Sequence, residues 1–168
     1  MRITLPSIAI SWISAMPATG VLTVTVTGAN DVPTAVADTA SVTEGESAEI
    51  TVLSNDSDPD TSDVLAVSSL DSTGTQGDVT RTGDTVSYDT GTAFEHLAVG
   101  ETASDTFEYT IDDGHGGSDT AAVTVTVTGA NDGPAAVDDS AATTDSAPVV
   151  VAVLENDTDP DTDDDEVR

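Results

Sequence analysis

Four aspartates, Asp56, Asp58, Asp60 and Asp63, fall within eight residues of chain. Two carboxylates about 5 Å apart repel by roughly 1 kcal/mol in water, and several-fold more where solvent is partly excluded. Such a run must be fully solvated or hold a cation. Alternate aspartates in an extended loop turn their carboxylates to one side, and Pro59 lowers the entropy of ordering that loop. An all-oxygen donor set suits calcium, a hard ion that takes 6–8 oxygens from carboxylates, amide side chains and backbone carbonyls. The same chemistry returns at Asp157, Asp159 and Asp161. An EF-hand loop is excluded. Counting from Asp56, its sixth position is Thr61 where glycine is needed, and its twelfth is Val67 where glutamate is needed.

Other chemistry is scarce. His96 and His115 have no second ligand nearby in sequence, so zinc is not expected. There is no cysteine, hence no disulfide, thiolate nucleophile or thiolate metal site. No strand-turn-helix elbow sets a serine beside a base. The carboxylates lie in loops among other acids, without an apolar pocket to raise a pKa. The expectation is a protein that is not an enzyme.

The acidic loops are positioned by a repeat. TVTVTGANDVP at Thr23–Pro33 returns as TVTVTGANDGP at Thr124–Pro134, and NDSDPDTSD at Asn55–Asp63 returns as NDTDPDTDD at Asn156–Asp164. The offsets 129 − 28 and 156 − 55 both equal 101. A constant offset marks copies of one structural unit, and about 100 residues is the size of a β-sandwich domain. The chain divides accordingly. Residues 1–20 lie outside the repeat, 21–29 are the last strand of a preceding copy, 30–130 a complete copy, and 131–168 the start of a following one. The first segment, MRITLPSIAISWISAMPATG, reads either as a truncated or misassigned start within a longer array or as a signal peptide.

Acidic residues number 32 against three arginines, for a formal charge of −29. That surface repels nucleic-acid phosphates and anionic lipid headgroups, and it attracts cations. Adaptation to high salt also makes surfaces acidic, but by an even spread; much of the acid here is gathered in particular loops. Disorder is opposed by the regular alternation of apolar residues. With aromatics at 3%, the core must be built mainly of Val, Ile, Leu and Ala, and Phe94, Phe107, Tyr88 and Tyr109 are expected inside it.

Alternation predicts strands at 21–27, 34–42, 48–53, 64–69, 79–82, 85–88, 106–111 and 121–128. Gly83-Asp84 predicts a type II′ hairpin, and Asp112–Ser118 (DDGHGGS) a turn. No segment has a helical period.

The linker VTVTVTGANDxP, the NDxDPD loop and FEYTIDDGHGGSDTAAVTVTV together resemble the VCBS and cadherin-like tandem repeats of very large bacterial surface adhesins. The likeness covers roughly residues 21–168. It implies an all-β fold, a cadherin/immunoglobulin-like antiparallel sandwich of about 101 residues per repeat, with calcium at the junctions between repeats. Carried over, the first junction would use Asn30 and Asp31 with Asp58, Asp60 and Asp112 or Asp113. The second would use Glu44, Asn131, Asp132, Asp159 and Asp161, and Asp145 stands for Glu44 in the next copy.

The resulting expectation is a calcium-stiffened structural and adhesive module of a secreted or surface-displayed protein. Its partners would be neighbouring repeats, homophilic contacts or surface polysaccharide, with neither nucleic acid nor membrane insertion. A carbohydrate-binding module is the alternative and would need an exposed aromatic platform. An accessory domain of a secreted enzyme is a second.

Overall fold

A computed structural model describes residues 23–161. The segment 1–20 and the end of the second acidic run lie outside them. Seven strands form two sheets: β1 (Asp38–Thr43), β2 (Ser47–Ile50), β3 (Ala66–Asp71), β4 (Asp78–Thr82), β5 (Thr85–Asp89), β6 (Thr102–Asp112) and β7 (Ser118–Thr128). One sheet has the order β1-β7-β6-β3 and the other β2-β5-β4. All pairings are antiparallel except β1 on β7, which is parallel from Asp38↔Val123 to Thr43↔Thr128.

The period-2 pattern explains the sandwich. Phe107, Tyr109 and Ile111 of β6 and Val123, Val125 and Val127 of β7 point inward, while Thr106, Glu108, Thr126 and Thr128 stay exposed. Val42, Ile50, Val67, Val86 and Tyr88 close the core from the other strands, with Phe94 and Leu97 below from the β5–β6 connection. The Tyr88 and Phe107 rings stack at 6.4 Å between centroids.

Three expected strands are corrected. Residues 23–27 form no ladder, and Val24 and Val26 are 58% and 66% exposed. Their copy, 124–128, is held between β1 and β6, and alternation without such neighbours makes no strand. Within 34–42, Thr34 makes only an isolated bridge to Ser57, and pairing begins at Asp38. The 48–53 strand stops at Ile50, where Val52–Ser54 turns into a 3₁₀ helix that sends Val52 into the core. The Gly83-Asp84 hairpin forms, with Gly83 at φ +63°.

One inward position of β6 carries an acid. Asp105 is 5% exposed and accepts hydrogen bonds from Tyr88 Oη (2.6 Å), Gln76 N (2.9 Å) and Gly77 N (3.0 Å). A Cβ on Gly77 would lie 2.5 Å from the Tyr88 ring, so only glycine lets this backbone approach. Burial pushes the Asp105 carboxyl up, but the Gly77 amide, the Tyr88 hydroxyl and the Gln76 amide outweigh it and hold it below the usual carboxylate range. Its folded pKa is therefore depressed. The stability it lends is present above the unfolded value of about 3.9 and disappears as pH falls through the folded value. Asp105→Asn replaces one acceptor oxygen by a donor and should cost about 1–3 kcal/mol at pH 7. Urea unfolding at pH 7 and pH 3 checks this: the gap between the variant and the native chain should shrink in acid.

Candidate metal centre

The linker and the acidic loop fold as one local unit, and they do so twice. Thr34 and Ser57 exchange backbone hydrogen bonds of 2.7 and 3.1 Å; so do Ala135 and Thr158, at the same two distances. Asp31 N donates to Asp60 Oδ2 (2.7 Å), and Asp132 N to Asp161 Oδ2 (3.0 Å). Val36 N donates to Asp56 Oδ1 (2.7 Å), and Val137 N to Asp157 Oδ1 (2.8 Å). Asp60 N closes on Asp58 Oδ1, and Asp161 N on Asp159 Oδ1. Each pair is displaced by 101 residues. Residues 138–154 of the second copy form no strand.

In the first copy, Asp58, Asp60 and Asp63 each bring a carboxylate oxygen within 4.8 Å of the other two. Asp58 Oδ2 is shielded and without a partner. His115 Nδ1 lies 3.1 Å from Asp63 Oδ2. The expectation that this histidine has no ligand-type neighbour is thus corrected: the β6–β7 turn brings it across from a loop 52 residues away. In that turn, Asp113 is buried and accepts from His115 N (2.7 Å) and Gly117 N (2.9 Å). Asn30 Nδ2 of the linker donates to Asp113 Oδ2 at 2.8 Å. The Asn30 amide, then the His115 and Gly117 backbone amides, hold the Asp113 carboxyl below the usual range against its burial.

The second group spans the linker. Glu44 sits in the β1–β2 turn, where Gly45 takes φ +70° and Glu46 N bonds Thr43 O. Its Oε1 accepts from Ala130 N at 2.6 Å. Glu44, Asp132 and Asp161 each place a carboxylate oxygen within 4.8 Å of the other two. Glu44 is 8% exposed and Asp161 5%. Glu44 Oε2, Asp132 Oδ2 and Asp161 Oδ1 are all shielded from solvent and have no hydrogen-bond partner. Two unit charges at this spacing repel by about 3–4 kcal/mol at an effective dielectric near 20. Arg81 is the sole arginine or lysine among the described residues, and its guanidinium is bound to Val67 O in β3. The donors are all hard oxygens, a set that suits hard divalent cations such as calcium, magnesium or manganese.

The remaining sequence-predicted residues lie outside both groups. Asp56 is held by Val36 N and lies 3.0 Å from the Tyr109 hydroxyl, so it fastens the loop to the core. Asp157 and Asp159 hold backbone amides, and Asp112 takes Gly114 N. Asn131 turns to Asp132 O (2.6 Å), unlike Asn30. Asp31 contributes its amide, while its side chain stays exposed. Asp38 was not expected at all: its Oδ2 is shielded and partnerless, and burial, with Asp56 adding, pushes its carboxyl up against the pull of Tyr109. The four aromatics are buried, so none of the described residues offers a stacking platform.

Residues 30–126 match the bacterial Ig domain family, and the chain belongs to it. No curated protein matches the chain. Among solved structures, a nucleoside hydrolase-related hypothetical protein from Saccharophagus degradans, described as associated with carbohydrate metabolism, is similar at 19% identity and a TM-score of 0.40. The match covers 61% of this chain and 26% of that one, so the chain spans about a quarter of its length.

Asn30→Ala should release the linker from the β6–β7 turn. The Asp113 pKa should rise toward, without reaching, the ordinary carboxylate value, because the His115 and Gly117 amides remain. Carboxyl carbon NMR titration of the native chain and the variant reads this directly.

Proposed function

We propose that this Ig domain is a calcium-binding repeat module of a secreted or cell-surface adhesin, in which the ion joins one domain to the linker and acidic loop of the next. The observation that carries this reading is the Glu44–Asp132–Asp161 group. Glu44 comes from the sandwich, Asp132 from the linker and Asp161 from the following acidic loop, and each keeps one shielded oxygen without a partner. Three such carboxylates need a counter-charge, and a divalent cation supplies it with the coordination these oxygens offer. In the first copy, Asp60 stands where Asp161 does, and it shares a separate acidic group with Asp58 and Asp63.

The work of such a module is mechanical. It spaces and stiffens a tandem array that presents adhesive surface, consistent with an acidic exterior, the lack of disulfides and the absence of any helix among the described residues long and apolar enough to cross a membrane. The reading is non-enzymatic and places the protein outside the cell, where calcium is abundant. Its partners are neighbouring repeats, with homophilic contacts or surface polysaccharide as the adhesive target.

Calcium that binds only the folded chain stabilises it by mass action. Extracellular modules bind at about 0.1–1 mM, so ten times that level adds roughly 1.4 kcal/mol per site. Tm of the chain should rise by about 5 °C or more in saturating calcium, and return on chelation. Magnesium should do much less, because it demands a tighter octahedral shell. Superimposable melting curves with calcium and with chelator would refute the reading.

A further inference from the structure

The two copies differ at one position that matters to this junction. The turn between β1 and β2 reads Thr43-Glu44-Gly45-Glu46, and its counterpart reads Thr144-Asp145-Ser146-Ala147. The turn itself is conserved in form: Glu46 N bonds Thr43 O and Ala147 N bonds Thr144 O, both at 3.2 Å. The acid is one methylene shorter in the second copy. The glycine at φ +70° is replaced by serine, a residue for which that left-handed conformation is sterically unfavourable.

Glu44 does two jobs at once. Oε1 reaches Ala130 N at 2.6 Å, and the carboxylate also brings an oxygen within 4.8 Å of both Asp132 and Asp161. It does so while 8% exposed, from a turn fixed by Glu44 N to Thr128 O at 3.0 Å. Its reach is therefore set by the side chain and not by backbone slack. Removing one C–C bond withdraws the carboxylate by about 1.5 Å. Calcium–oxygen distances span only about 2.3–2.6 Å, so a retreat of that size exceeds the range the ion tolerates.

We propose that the length of the acid at position 44, one methylene greater than that of its counterpart Asp145, sets how tightly the Glu44–Asp132–Asp161 junction holds its ion. This rests on the calcium reading above and deepens it. With glutamate at position 44 the junction stays locked over a wider range of calcium than it would with aspartate there.

The test uses the full 168-residue chain with calcium chloride as the probe, following backbone amide NMR signals during titration. Ala130 and Asp132 report the Glu44 group through their hydrogen bonds, and Asp60 reports the Asp58–Asp60–Asp63 group. In the native chain, the Ala130 and Asp132 signals should shift and saturate. In Glu44→Asp they should need about tenfold more calcium or beyond, and Glu44→Gln, which keeps the reach and the acceptor for Ala130 but loses the charge, should weaken binding too. The Asp60 response should stay unchanged in both variants, which also verifies their fold. Native-like titration of Ala130 and Asp132 in Glu44→Asp overturns the proposal while leaving calcium binding intact. No calcium response of these signals in the native chain, whether or not Asp60 responds, refutes the metal reading of the Glu44 group and the proposal with it.

Discussion

The interaction on which this structure depends is the hydrogen bond between a carboxylate and a backbone amide. With 32 acids and three arginines, the chain cannot neutralise its buried acids with cations of its own. It answers them with N–H and O–H donors instead. Asp105 collects Gln76, Gly77 and Tyr88; Asp119 takes Ala35 N; Asp84 takes Val67 N. Each tie fastens a loop or turn to the sandwich, so the acids serve as staples in a protein without disulfides. The arrangement reaches its limit where amides run out. At the Glu44–Asp132–Asp161 group each carboxylate has an oxygen left over, and that surplus is what makes the place chemically distinct from the other acid clusters.

Much of the sandwich was legible in the sequence, because β6 and β7 each alternate over eleven residues and a half-buried strand leaves that trace. Alternation failed at 23–27, where the pattern is equally clear. It records which side of a strand would be buried, and says nothing about whether neighbours exist to pair with it. Asp105 was hidden for the opposite reason. Its place in the inward phase with Phe107 and Tyr109 was visible, but its donors at Gln76 and Gly77 lie 28–29 residues away and only the fold brings them near. His115 beside Asp63 is the same case. At the metal centre, the local ties between linker and acidic loop follow from the repeat, whereas the convergence of Glu44 with Asp161 depends on where the β1–β2 turn points.

The duplicated linker-and-loop geometry carries a further point. The second copy repeats the Thr34–Ser57, Asp31–Asp60 and Val36–Asp56 ties of the first, whereas Asn131 and Asn30 take different partners. The ties between linker and acidic loop are thus made by nearby residues, in the Asx-type closures at Asp58 and Asp159 and beside Pro33 and Pro134. What the sandwich adds is one acid on either side: Glu44, accepting from Ala130 N, and Asp113, accepting from the Asn30 amide.

The parallel pairing of β1 and β7 decides how the domain carries tension. The chain enters the sandwich at the Asp38 end of β1 and leaves at the Thr128 end of β7, and these ends lie at opposite limits of their shared ladder. A pull along the chain therefore drives the two strands past each other lengthwise. All six register pairs are loaded together, and none can open until the others slip. Had the two strands been antiparallel, the same pull would have unzipped them one bond at a time under a far smaller force.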